Sequence, residues 1–340
     1  MKIGLYGPLN EEETGPSRVT SGLATGLAKL GHEPVIVSYG NMHSHPEAPV
    51  HHVGERPGSV RGYLDLHAEG ERVLSELNVD VTHCLKGTAT SCDVRTVHGT
   101  LTFLRAPLGT YSIREMLGDS IMSYYSRKSA RSSDTVVATS PEVANVLQRW
   151  WRVDPETIPL GIDEEILADD VPTDNPTVFL PGRISEKKGQ LGVLKTLDTN
   201  VCDVHLAGSV KDEPYAEKVL NHDVTYHGYV SRVELLDLYQ RADVTVVGST
   251  HEFFSVTALE ALARSSTLVI TDTCGIATYD HVAACDGVRT VATQAEAGRV
   301  ATRLADHESL PKYKRAARDL AAGMTWRWVA KKYITHYPER

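Results

Sequence analysis

Short aliphatic runs rich in β-branched residues alternate along this chain with segments whose apolar residues recur at helical spacing. This alternation predicts β–α–β units, which assemble into a parallel sheet covered by helices. Lys2–Gly7 reads as a strand and Pro8–Pro16 as a polar, turn-rich loop. Val19, Leu23, Leu27 and Leu30 then mark one buried helix face, and Gly31 ends that helix. Pro34–Ser38 is the next strand, with further strands at Val79–His83, Asp93–Val97 and Thr135–Thr139. Ser112–Ser132 is mostly helical. Ser140 as N-cap and Pro141 at the first helical position open a helix to about Trp151.

Ile158–Asp163, followed by acidic residues, together with prolines at 159, 172 and 176, reads as a hinge. The alternation restarts after it, with strands expected at Thr177–Leu180, Val201–Leu206, Val224–Tyr226, Val244–Val247 and Leu268–Thr271. Ser231-x-x-Glu234 is a capping box that starts a helix near Arg232. A length of 340 residues allows two domains of roughly 150 residues each. The expected class is α/β, two Rossmann-like domains facing a cleft, over residues 1–160 and 161–323. Trp326, Val329, Ala330 and Tyr333 share helical spacing in a C-terminal helix over residues 324–340. Ligands of open α/β sheets bind outside the carboxyl ends of the strands, so the cleft is the expected site.

Bulk chemistry narrows the partners. A net charge of −9 argues against nucleic acid, which demands a basic surface. No apolar run approaches the ~18 residues of a membrane span, and the apolar N-terminus is too short for a secretory signal. Cys84, Cys92, Cys202, Cys274 and Cys285 are odd in number and lack Cys-x-x-Cys spacing, which fits a reducing cytoplasm. No metal and no cofactor is expected. His43, His45, His51 and His52 lie in what reads as a polar loop without supporting carboxylate or cysteine spacing. Met122–Arg131 joins aromatics to three cations, a composition suited to an anionic membrane surface or to an ordinary surface helix.

Three segments carry candidate chemistry. His251–Ala263 follows a strand and opens a helix near Ser255, where the amides of Phe254, Ser255 and Val256 suit a diphosphate. Glu252 precedes this helix and Glu260 lies about 7–8 Å further along its axis. Two such carboxylates can accept hydrogen bonds from sugar diols, or be a surface residue and a helical pair member. Pro181–Gly189 follows another strand, where Gly182 lets backbone approach a ligand and Arg183 and Lys188 supply charge for phosphate. Gly15-Pro16-Ser17, ahead of the first helix, offers amides and a hydroxyl. His98, in Val97-His98-Gly99-Thr100, follows a strand, where a histidine is either structural or part of the site.

The ordered set resembles the GT-B glycosyltransferases of the retaining, GT4-like class, the glycosyl transferases group 1. The resemblance runs through Gly15–Val19, Leu30–Val35, Thr96–His98, Ser140–Val143 and Ile158–Asp163. It continues through Gly182-Arg183 with Lys188-Gly189, Leu206–Gly208, Tyr226–Val230, Leu238–Val244 and the Glu252–Glu260 pair. It implies a UDP- or GDP-sugar donor held mainly by the second domain and a hexose passed to a hydroxyl of a glycan or lipid-linked acceptor. Carried over by motif, Arg183 and Lys188 neutralise the diphosphate, Glu252 meets the donor sugar and Glu260 holds the ribose diol. His98 touches the sugar or acceptor side, and Gly15 with its neighbours closes on the phosphate. The family generally lacks a metal, and its terminal helix returns to the first domain. Phe253-Phe254-Ser255 and Arg264-Ser265-Ser266 stand where the family often carries glycines, and Cys274-Gly275 where it often has a glycine pair. The competing readings are a nonhydrolysing UDP-sugar epimerase of the same fold and an inactive nucleotide-sugar-binding protein.

Overall fold

The computed structural model describes residues 1–10, 15–55, 57–86, 92–99, 113–171 and 175–339, with only the backbone for 113–115. Residues 11–14 of the first loop, Thr100, Ser112 and Pro172 lie outside the described residues. The chain divides into two units, Met1–Gly161 with Thr325–Arg340, and Ile162–Met324.

The first unit runs β1 (Lys2–Pro8), α1 (Gly15–Ala28), β2 (Glu33–Tyr39), β3 (Val50–Gly54), α2 (Val60–Glu76) and β4 (Val81–Cys84). It continues with β5 (Val94–Val97), α3 (Ile113–Ala130), β6 (Thr135–Ala138), α4 (Pro141–Val146) and β7 (Glu156–Thr157). All strands are parallel, in the order β3-β2-β1-β4-β5-β6-β7. From Ile3 onward β1 is wholly buried, as a central strand covered on both faces must be. The order turns at β1 and β4, so the segments leaving these strands flank the switch point where such sheets bind ligands.

Two differences from the sequence reading have one physical cause. His51 and His52 belong to edge strand β3, not to a loop, and β7 is a two-residue edge strand. Edge strands face solvent and need no continuous apolar run, so the signal that marks central strands is missing. The His52 ring bonds the Gly40 carbonyl at 2.7 Å, and the His43 and His52 rings meet edge to face. Among the described residues no group of three or more histidine, cysteine or acidic side chains is arranged to hold a metal.

The C-terminal helix Trp326–Ile334 packs on α1. A Cβ at Gly22 would overlap the Trp326 ring, and one at Gly26 would overlap the Trp326 backbone. Beyond it the tail is tied down by a buried polar chain. Tyr337 Oη lies 2.9 Å from His83 Nδ1, His83 Nε2 lies 2.8 Å from Thr96 Oγ1, and Tyr333 Oη lies 2.9 Å from the same Thr96 oxygen.

The second unit runs β8 (Thr177–Pro181), α5 (Gln190–Leu194), β9 (Asp203–Ala207), α6 (Glu213–Leu220), β10 (Thr225–Tyr226) and α7 (Arg232–Arg241). It continues with β11 (Val244–Val247), α8 (Val256–Ala263), β12 (Thr267–Thr271), α9 (Asp280–Ala283), β13 (Val288–Val291), α10 (Gln294–Ala305) and α11 (Leu310–Ala322). The C-terminal helix of the first unit is thus α12. The parallel order is β10-β9-β8-β11-β12-β13, with its switch point between β8 and β11. The β13 edge strand is a further one that sequence patterning passed over; its Arg289 and Thr290 interrupt the apolar run. Lys314 of α11 is buried and bonds Asp243 at 3.0 Å and also pairs with Asp170, tying the segment before β8 onto this unit.

Candidate active site

The loops leaving β8 and β11 meet at the second unit's switch point. After β8 the chain turns through Gly182 at φ 111, a conformation that side chains disfavour. Its N–H donates to the Ala207 carbonyl at 2.8 Å. Gly208, leaving β9, lies so close that a Cβ there would overlap the Gly182 carbonyl. The turn exposes Arg183 and leads through a 3-10 turn, Glu186–Lys188, whose last residue points back across Gly182, with its Cε 3.5 Å from where a Cβ would stand. Gln190 holds the turn by donating to the Arg183 carbonyl at 3.0 Å.

Lys188 Nζ donates to Glu252 Oε1, and Ser249 Oγ donates to the same oxygen at 2.8 Å. Both members of the ion pair are mostly buried, at 19% and 15% side-chain exposure. Burial pushes the Glu252 carboxyl up, but Lys188, Ser249 and Lys187 together outweigh it and hold the group below the ordinary glutamate range. The loop carrying Glu252 is pinned on both sides. Thr250 N–H donates to the Lys187 carbonyl at 2.8 Å, and Glu252 N–H to the Thr273 carbonyl at 3.1 Å. Thr271 and Thr273 hydroxyls both donate to the Ser249 carbonyl, at 2.7 and 2.8 Å. An ammonium and a carboxylate are thereby presented at one point beside a helix N-terminus, an arrangement that suits phosphate and polyhydroxyl groups together.

Glu260, 3% exposed, accepts from Arg232 Nη1 at 2.7 Å. In the first unit, His98 opens onto a recess of about 80 Å³ lined also by Leu85, Lys86, Arg95, Thr96, Ser126 and Trp151. Burial, reinforced by Lys86, lowers the His98 pKa to about 3 against the opposing bond to the Leu85 carbonyl, so the ring is neutral near pH 7. Gly15-Pro16-Ser17 form the first turn of α1 rather than a loop ahead of it. The Ser17 hydroxyl is turned to the chain, accepting from Asn10 N–H at 2.9 Å.

Two family descriptions cover nearly the whole chain: Glycosyltransferase Family 4 matches residues 14–166, and Glycosyl transferases group 1 matches residues 162–319. The chain belongs to the GT-B glycosyltransferases. An uncharacterised glycosyltransferase of Methanocaldococcus jannaschii is 24% identical to this enzyme over 303 residues, 75% of this chain and 76% of that one. The fold is shared with sucrose-phosphate synthase from Thermosynechococcus elongatus, at TM-score 0.76 and 16% identity over 98% and 97% of the two chains. It is also shared with Anabaena HepE in complex with UDP and glucose, at TM-score 0.71 and 15% identity over 98% of each.

The structure of this glycosyltransferase brings Gly182, Lys188 and Glu252 together, and places Glu260 against Arg232. α8 opens at Ser255, where the sequence placed it. Ser255 is the N-cap, so the first helical amide is that of Val256, and the Phe254 carbonyl accepts from Ile276 N–H at 2.9 Å. Sequence reading passed over Ser249, Thr271, Thr273 and Arg232, since no local pattern marks a residue whose partner comes from another loop.

The missing family glycines have a backbone counterpart. Ser255 sits at φ 91 and Ser265 at φ 59, both in the left-handed region that favours glycine. Ser255→Gly relieves this strain and gives up a weak cap to Ala258 N–H at 3.4 Å. It is expected to stabilise the protein by about 1 kcal/mol, read as a rise in melting temperature; an unchanged or lower temperature shows that strain relief does not outweigh the lost cap. Ser265→Gly gains less, because its hydroxyl donates to the Ala168 carbonyl at 2.6 Å.

Proposed function

We propose that this enzyme transfers a hexose-type sugar, with retention of anomeric configuration, from a UDP- or GDP-sugar to a hydroxyl of a glycan or lipid-linked acceptor. The observation that carries this reading is the Lys188–Glu252 pair at the start of α8, held by Ser249. The UDP and glucose bound by the structurally similar Anabaena HepE support it. Lys188 and Arg183, with the amides at the α8 N-terminus, stabilise the charge that develops on the leaving diphosphate. Glu252 accepts from donor sugar hydroxyls, and Glu260 from the ribose diol. The anomeric C–O bond to phosphate breaks as the acceptor oxygen bonds the same face, and the acceptor proton passes to the departing phosphate. His98, neutral and with its ring N–H on the Leu85 carbonyl, accepts from a sugar or acceptor hydroxyl through its other nitrogen. A phosphate-binding role for Gly15, Pro16 and Ser17, the first turn of α1, is part of the same proposal. Two cations and a helix end do the work a metal would do.

A thermal-shift screen of nucleotide sugars identifies the donor, because ligand binding to the folded state raises apparent stability. The stabilising donor is then incubated alone. Slow release of nucleoside diphosphate and free sugar of retained configuration is expected. An epimerised nucleotide sugar instead identifies an isomerase, and an unchanged donor with every acceptor identifies a binding protein.

Peripheral attachment to the cytoplasmic face of a membrane through Met122–Arg131 is part of the proposal. On α3 the exposed face carries Leu117, Ile121 and Tyr124, at 60%, 43% and 64% exposure, and continues into Lys128 and Arg131. Among the described residues no helix is long and apolar enough to cross a membrane. Cosedimentation with vesicles containing anionic lipid is expected, and neutralising Arg127, Lys128 and Arg131 together is expected to abolish it. Equal sedimentation of the two proteins defeats this attachment.

A further inference from the structure

We propose that Arg232 is a specificity-determining positioning residue: it fixes the Glu260 carboxylate toward the donor ribose and thereby selects ribonucleotides against 2′-deoxyribonucleotides. The inference rests on the reading that Glu260 meets the ribose. A glutamate has three rotatable bonds, so burial alone does not give its carboxylate one orientation. Here the Glu260 oxygen Oε1 is held by Arg232 Nη1 at 2.7 Å, with Glu260 3% and Arg232 28% exposed.

The holder is itself fixed. Arg232 is the first residue of α7, and its neighbours close the capping box. Ser231 Oγ accepts from Glu234 N–H at 3.3 Å, and Glu234 Oε2 accepts from Ser231 N–H at 2.9 Å. One turn beyond Glu260, Arg264 donates to the Leu236 carbonyl at 3.1 Å and to the Gln240 side chain. α7 is therefore tied to the C-terminal half of α8 near both of its own ends, which opposes sliding of one helix past the other at the Arg232–Glu260 bond. Arg232 is also the member of the pair that reaches solvent, flanked by Tyr229 and Val233, each 78% exposed.

A vicinal diol donates two hydrogen bonds, and a carboxylate held from one side receives both only in a set orientation. A 2′-deoxyribose leaves one acceptor without its donor, which is costly where the group is desolvated. A carboxylate free to rotate would re-aim to the remaining hydroxyl or to water, and the discrimination would fade.

The test measures Kd by titration calorimetry for UDP, GDP and their 2′-deoxy counterparts, with the wild-type enzyme, Arg232→Gln and Arg232→Lys. The wild type is expected to prefer the ribonucleotide by about 10–100-fold. Arg232→Gln is expected to bring the ratio below about threefold, chiefly by weakening the ribonucleotide, and Arg232→Lys to give an intermediate ratio. A wild-type ratio in both variants overturns the proposal. So does an equal loss of both nucleotides, which marks a general structural role. Should Arg232→Gln fail to fold, the Arg232→Lys ratio decides by the same criterion. A wild type that binds none of the four nucleotides defeats the donor-site reading itself. One that binds them without ribose preference defeats this inference and leaves that reading standing.

Discussion

Lys188→Ala is expected to lower the rate of sugar transfer by about 10²–10³-fold, the usual loss when one preorganised stabiliser of transition-state charge is removed. The reason lies in what Lys188 touches. Its ammonium stands against Glu252 at the turn after β8, where the leaving diphosphate would gather charge. Glu252→Gln is expected to lower the rate comparably, because the amide is a weaker acceptor for sugar hydroxyls and no longer pairs with the lysine. The two losses are not independent. Among the described residues, removing Lys188 leaves a mostly buried carboxylate with Ser249 as its remaining bonded side chain, so the double variant Lys188→Ala/Glu252→Gln should fall short of the product of the single losses. Single-turnover rates at saturating donor measure the effect free of affinity changes. Wild-type rates in Lys188→Ala would remove this residue from the chemistry.

Acid should unfold the first unit well before it titrates ordinary carboxylates. Burial, aided by neighbouring cationic or imidazole groups, lowers His83 and His98 to about 3 and His67 to about 4. In the unfolded chain each titrates near 6.5. Between these values the unfolded state binds more protons, so the stabilisation is complete above about pH 6.5 and is lost as pH falls toward 4 and 3. Each group removes about 1.4 kcal/mol per pH unit within its window. Together they remove on the order of 4 kcal/mol per unit around pH 5. All four tryptophans, Trp150, Trp151, Trp326 and Trp328, belong to this unit, so tryptophan fluorescence follows its unfolding selectively. The urea midpoint should drop steeply between pH 6 and 5, and His83→Gln should flatten that slope by about a third. A midpoint that holds constant from pH 7 to 5 would falsify the assignment of three histidines held neutral in the fold.

How much of the molecule was legible depended on how local the signal was. The capping box at Ser231 and Glu234 spans one turn, and it starts α7 where spacing placed it. Central strands such as β1, β8 and β11 need apolar residues on both faces, and their runs stand out. Edge strands β3 and β13 obey no such demand and left no run to read. The serines at 255 and 265 were visible as departures from glycine, but that their backbone is left-handed was not, since a side chain does not announce the φ it is forced to adopt.

The sequence by itself determined the α/β class, the order of the loops that carry Arg183, Lys188, Glu252 and Glu260, and the family to which their order belongs. Those features are short-range: a periodicity, a cap, a glycine turn, a charged residue after a strand. Only the tertiary structure decided which charges stand together. Lys188 and Glu252 are brought together by the adjacency of β8 and β11, Arg232 and Glu260 by the packing of two helices, and Tyr337 and His83 by the docking of the last helix on the first unit. These pairings depend on long-range burial, in which desolvation favours pairing of buried polar groups, and no local stretch of sequence records which partner a group finds.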